Sequence, residues 1–189
     1  MTMKVENIWR ADVQQRVFRE LVEAFSRPGA IREIGDCIDG AVAQRAVLAT
    51  LMDGEMTLAD PHGQIAPADW PLLQAKPSAN EHARYVAASG GRAPDFQPAL
   101  GSLESPEFGA TVLIEVDRLG QGETSLELAG PGINGQRQLR LAGLHPDWLT
   151  RRADWVGSFP LGVDVLLSDT RRIVALPRTT QIHISGGVR

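Results

Sequence analysis

Four groups of residues in this chain have types and spacing that could do chemistry. "PRTT", Pro177 to Thr180, closes an apolar run. Its Arg178 offers a planar fork of donors suited equally to a carboxylate or a phosphonate, and Thr179 and Thr180 add hydroxyls. Asp164 lies inside that run, in "FPLGVDVLLSDTRRIVALPRTT". A covered carboxylate there needs a positive or hydrogen-bonding partner, from Arg178 or from a turn arginine. "GPGING", Gly130 to Gly135, matches G-x-G-x-x-G, with Asp154 about twenty residues on. Finally, Trp148, Arg152 and Trp155 share "HPDWLTRRADWV", the two tryptophans seven apart and so on one helical face.

Each group also has a structural reading. Pro177 has no amide donor and ends strand pairing, so Arg178, Thr179 and Thr180 are expected to be chiefly structural. A phosphate-contact role is the alternative. A dinucleotide site at "GPGING" would need a helix opening there, so that its amides face a pyrophosphate. The next residues, Gln-Arg-Gln-Leu-Arg-Leu, alternate as a strand, so the glycines read as a hairpin turn. Trp148 and Trp155 fit core packing. With Arg152 they also have the residue types that dominate partner surfaces.

Other chemistries find little support. Of 19 basic residues only Lys4 and Lys76 are lysines, which leaves few places for a Schiff-base amine or a P-loop. His62, His82, His145 and His183 have no close metal-ligand spacing. The single cysteine, Cys37, excludes an internal disulfide and a cysteine-cluster metal site. No G-x-S-x-G elbow occurs. We therefore expect no catalytic residue, metal ligand or cofactor-binding residue of this chain's own.

The elements that must position these groups can be read from periodicity. Val13, Val17, Leu21 and Phe25 recur every four residues, predicting a helix that Pro28-Gly29 stops. "AIREI" reads as a short strand, and a second helix is expected over 41–53, with Val42, Ala46 and Ala49 toward the core. Short strands are expected at "MTLADP" and "HARYVAAS", and an irregular helix at "ADWPLLQAK". Residues 90–110 read as an exposed connection with one helical turn at Phe96 to Leu100. "TVLIEVDRL", "TSLELA" and "QRQLRLAGL" are strands, "HPDWLTRRADWV" a helix, and the last two strands form a hairpin around "SDTR".

The 189 residues suit one domain, 1–189, able to bury roughly 70% of the unfolded surface. A net charge of -4 gives no pull toward nucleic acid or anionic lipid. No apolar run is long enough for a signal peptide or a membrane span, so a cytoplasmic protein is expected. The pattern predicts an α/β fold, a mixed sheet with helices packed on it.

"FRELVEAFSRPGAI", "LELAGPGI" and "FPLGVDVLLSDTRRIVALPRTT" together resemble the PhnH family, the H subunit of the bacterial carbon–phosphorus lyase system. The likeness runs in order from about residue 18 to 180, and "FPLG-x-D" and "PRTT" are its most specific parts. The resemblance implies a three-layer α/β/α sandwich related to pyridoxal-phosphate transferases but without the cofactor. It further implies a homodimer when isolated, and a place in a core complex with the G, I and J subunits. With the I, G and L subunits the family supports displacement of adenine from ATP by an alkylphosphonate. The product is alpha-D-ribose 1-alkylphosphonate 5-triphosphate. The resemblance carries over no catalytic residue, which points to a non-catalytic subunit. The alternatives are a subunit supplying a phosphate or nucleotide contact around Arg178, and an independent small-molecule hydrolase.

Overall fold

A computed structural model describes residues 6–184; Lys4 lies outside them. Seven strands form the main sheet: β1 (Arg32–Glu33), β2 (Thr57–Ala59), β3 (Lys76–Pro77), β4 (Tyr85–Ser89), β5 (Thr111–Glu115), β8 (Asp164–Ser168) and β9 (Arg172–Leu176). Their order is β1-β9-β8-β5-β4-β2-β3. β2, β3, β4, β5 and β8 run parallel, whereas β9 pairs antiparallel with both β8 and β1. A second, antiparallel sheet has the order β10-β6-β7, from β6 (Arg118–Ala129), β7 (Arg137–Ala142) and β10 (Gln181–Ile184).

The main sheet is covered on both faces at its centre, which explains why β4, β5, β8 and β9 are apolar in their middles, whereas the edge strands β1 and β3 are polar. Ala87, Leu113, Leu166, Ile173 and Ala175 face α1 (Ala11–Ser26) and α2 (Ala43–Leu51). The alternate residues Val112, Ile114, Val165, Leu167 and Val174 face the other way. There the cover is the small sheet, through Leu126, Leu128, Leu139 and Leu141, together with α4 (Asp147–Val156). So the layers are helices, main sheet, and a mixed layer of strands with one helix. The predicted α/β/α sandwich is correct for one outer layer only. The strand pair around "GPGING" has too many inward leucines at period two to form a helix, and it supplies the other cover.

α1 obeys its periodicity: Val13, Val17 and Leu21 are buried, and Pro28-Gly29 lies just past its end with Gly29 at φ 76°. Phe25 is partly buried beside fully buried Ala24. α2 is shorter than expected. Val42 precedes it as the extended N-cap and is exposed, while Ala46 and Ala49 are buried as predicted. α3 (Trp70–Leu73) is the irregular helix of "ADWPLLQAK". No helical turn forms at Phe96 to Leu100. Leu100 instead bridges Gly109, and Phe96 is buried, packed against both Trp148 and Trp155. The aromatic contact draws this connection onto α4 rather than leaving it in solvent.

The hairpin β8–β9 has a buried acid at its tip. Asp169 Oδ1 accepts from the amides of Arg171 (2.9 Å) and Arg172 (2.8 Å). Its Oδ2 accepts from the Leu119 amide (2.9 Å) at the start of β6 and from the Arg172 guanidinium (2.6 Å). One carboxylate thus ties the main sheet to the small one.

Burial pushes the Asp169 carboxyl up, but the amides of Arg171 and Leu119 and the Arg172 guanidinium together hold it below the usual range. A depressed folded value means this stabilisation is complete above the ordinary carboxylate range and is lost as the pH falls through the folded value. Asp169→Asn should therefore cost about 1–3 kcal/mol near neutral pH. Denaturant titrations should show the gap between wild type and variant closing as the solution is made acidic. A gap that is constant with pH would contradict this assignment.

Candidate functional site

Asp164 opens β8 between the buried Val163 and Val165, so its carboxylate needs a partner. Arg178, two residues past β9, meets it. The Arg178 Nη2 donates to Asp164 Oδ2 at 2.8 Å, and the Arg178 amide donates to Oδ1 at 2.8 Å. Nη1 donates to the carbonyls of Pro106 (2.8 Å) and Pro160 (3.2 Å), and Nε lies 3.4 Å from Asp164 Oδ1. Every nitrogen of the guanidinium is thereby engaged by this chain itself. The fork pins β8 to the 106 loop and to the "FPLG" segment.

Two glycines permit that approach. A Cβ on Gly109 would sit 2.1 Å from the Gly162 carbonyl oxygen and 3.0 Å from the Arg178 guanidinium. Gly162 itself has φ 135°, in the region that favours glycine.

Arg152 holds the same turn from inside. Its Nη2 donates to the carbonyls of Pro177 (2.7 Å) and Thr180 (3.0 Å), while the Thr180 amide donates to Pro177 O at 2.9 Å. Arg152 is 6% exposed, and burial lowers its pKa to about 10, with the charge of Asp164 opposing the shift. Thr179 is exposed; Thr180 is buried, and its hydroxyl bonds no described residue. The structure thus brings together two groups that were separate in sequence, Arg152 and Pro177–Thr180.

Trp148 and Trp155 are each 2% exposed. The Trp148 indole N–H donates to Arg92 O at 2.8 Å and that of Trp155 to Gln97 Oε1 at 3.1 Å. With Phe96 and His62 they form a buried aromatic group. Trp148, Arg152 and Trp155, expected as candidate partner contacts, therefore face their own chain. Phe96 is what covers them, and its single ring among prolines gave no periodic signal.

"GPGING" lies in the β6–β7 hairpin, where Gly130, Gly132 and Gly135 all have positive φ and no helix opens. Lys76 is exposed on β3, 3.9 Å from Glu55. Among the described residues no three His, Cys, Asp or Glu side chains are placed to hold a metal ion. No described helix is long and apolar enough to cross a membrane.

At the opposite, carboxyl ends of β4 and β5, the structure gathers residues that sequence reasoning missed. Gln44 starts α2 and is buried, its Nε2 donating to Ala88 O (3.2 Å) and Leu113 O (3.3 Å). Arg45 grips Asp69 at 2.6 and 2.8 Å and also bonds Glu6. Burial and the neighbouring charge of Asp117 raise the pKa of Glu115. His62 Nδ1 accepts from the Ser89 amide at 3.1 Å. These residues come from separate segments with no shared motif. The one available signal was "IE" at the end of an apolar strand.

Comparison with known proteins matches residues 7–183 to the family described as "Bacterial phosphonate metabolism protein (PhnH)". The chain is 41% identical over 179 residues to a C-P lyase subunit protein, HtxG, of Stutzerimonas stutzeri, covering 95% of this chain and 90% of that protein. It is 30% identical over 185 residues to the alpha-D-ribose 1-methylphosphonate 5-triphosphate synthase subunit PhnH of Rhizobium meliloti (strain 1021), covering 89% and 90% of the two chains.

The geometry at Arg178 predicts a large stability effect. Arg178→Ala strands a partly buried Asp164 and two carbonyls, and should cost about 2–4 kcal/mol. Arg178→Lys should recover less than half, since the acceptors are met by three separate nitrogens of a planar fork and the donors of an ammonium all leave one nitrogen. Thermal unfolding of both variants decides it; a loss below about 0.5 kcal/mol in Arg178→Ala, the level of ordinary surface substitutions, would remove the pin.

Proposed function

The chain belongs to the PhnH family of bacterial phosphonate metabolism proteins, and from that membership we propose that it is a non-catalytic, structural subunit of a carbon–phosphorus lyase core complex. The observation that carries the structural role is Arg178. The arginine of the "PRTT" segment engages Asp164, Pro106 and Pro160 of its own chain through four of its five guanidinium N–H groups. A residue committed in this way holds a fold and the surfaces built on it. All three of its nitrogens are engaged, and a single N–H on Nη2 is all that a ligand could take.

Its partners are then the G, I and J subunits, with a homodimer as the state of the isolated chain, in the cytoplasm. The chain acts as one folding unit, related to pyridoxal-phosphate transferases but without the cofactor. The supported reaction breaks the bond from ribose C1 to the adenine nitrogen of ATP. A bond from C1 to a phosphonate oxygen replaces it, and adenine leaves with a proton. In this reading the reacting groups are held by other subunits, and this chain keeps the complex assembled.

Reconstitution separates assembly from ligand contact. Adenine release from ATP with methylphosphonate should fall sharply when this chain is left out. Arg178→Ala should lower the amount of assembled complex while leaving turnover per assembled complex within twofold. Thr179→Ala should change neither. A fully assembled Arg178→Ala or Thr179→Ala complex with turnover reduced tenfold would instead make this segment a phosphate or nucleotide contact. Adenine release by the isolated chain would overturn the non-catalytic role.

A further inference from the structure

The cleft at the carboxyl ends of β4 and β5 lies where open α/β sheets tend to bind ligands. Its cavity measures about 320 Å³, within the roughly 300–1,000 Å³ common for such sites. Val42, Leu48, Ile65 and Leu73 supply apolar walls. Gln44, Gln64 and Glu115 add polar groups from three separate segments: α2, the loop after β2 and the end of β5.

All three side chains can accept. The Nε2 of Gln44 donates to the carbonyls of Ala88 and Leu113, which fixes the orientation of the amide. Its Oε1 bonds no described residue, although Gln44 is only 3% exposed. Gln64 is half-buried and its side-chain amide also bonds no described residue, so it can turn its oxygen inward. Glu115 is half-buried and has no ion-pair partner among the described residues. Burial and the neighbouring charge of Asp117 raise its pKa, so its ionised form lacks the cation that would steady it.

Charge sets the sign of the occupant. Glu6, Asp69 and Glu115 against Arg45 give the lining a formal charge of -2 when all are ionised. Arg45 commits four of its five N–H groups to Asp69 and Glu6. The start of α2 offers only about half a positive charge in return. An anion is repelled, and a cation is drawn in. The described carboxylates are not grouped as metal ligands. A primary ammonium, by contrast, carries three N–H donors on one nitrogen, matching three acceptors. An alkyl chain behind it suits the aliphatic walls.

We propose that this cleft binds a short primary alkylammonium, with its N–H groups on Gln44 Oε1, Gln64 Oε1 and the Glu115 carboxylate. The occupant is a separate molecule, and its binding does not depend on the subunit role. Butanol shares the alkyl chain without the charge, and tetramethylammonium shares the charge without the N–H groups, so the two serve as discriminating probes.

The test is a titration of the full isolated chain with butylamine, butanol and tetramethylammonium at constant ionic strength, read by ligand-observed NMR and calorimetry. Butylamine should bind at millimolar concentration or below, and the other two at least tenfold more weakly. Glu115→Gln should weaken butylamine at least tenfold without lowering the melting temperature, because the carboxylate it removes has no partner in the free chain. Ala68→Trp, a change at an exposed lining position, should abolish binding by filling the mouth. Lys4→Ala, which removes the lysine two residues before Glu6, should leave the affinity within twofold. The assignment is overturned if butylamine fails to bind at millimolar concentration, or if butanol or tetramethylammonium binds as tightly. Butylamine binding that Glu115→Gln and Ala68→Trp both leave intact overturns it equally. A tenfold gain in Lys4→Ala would mean that the chain's own lysine fills the cleft, which overturns a separate ligand.

Discussion

The main sheet is buried on both faces, and this constraint governs where polar groups can stand. β4, β5 and β8 each carry buried residues on alternate sides, so their middles accept no charge without a partner. Polarity is forced to the strand ends. At one end β8 opens with Asp164, which Arg178 neutralises. At the other it closes beside Asp169, which gathers amides from two strands and the Arg172 guanidinium. Glu115 ends β5 in the same way, has no ion-pair partner among the described residues, and lines a cleft.

The two ends consequently differ in character. The Asp164 end is closed: its ionic groups are matched, Gly109 and Gly162 let the backbones touch, and Arg152 holds the turn beyond it from within. The carboxyl end has unmatched acceptors and open volume. The "FPLG" and "PRTT" segments meet at the closed end. Their chemistry there is the chemistry of packing, in which an arginine fork joins three separate segments and two glycines allow the approach.

Much of this was legible in the sequence wherever a signal was local. The four-residue spacing from Val13 marks α1, and alternation after "GPGING" marks a hairpin over a dinucleotide loop. Asp164 in an apolar run announced the need for a partner, although only strand register could select Arg178 from Arg171 and Arg172. Signals that depend on distant segments were silent. Phe96 looked like a loop residue because its partners lie fifty residues away on α4. Gln44 and Asp169 were invisible for the same reason: each satisfies backbone groups of strands whose positions no spacing reveals. The α/β/α layering came from the family resemblance, and the second outer layer differs from it because the leucines of β6 and β7 cover the main sheet as strands beside α4.

The proposed role makes this chain one member of a multi-subunit assembly. The most direct measurement is native mass spectrometry of the chain expressed alone and together with the G, I and J subunits. A dimer is expected alone, and a larger particle containing every subunit when they are made together. A chain that keeps the same mass in both preparations, with the other subunits assembling without it, would contradict the claim.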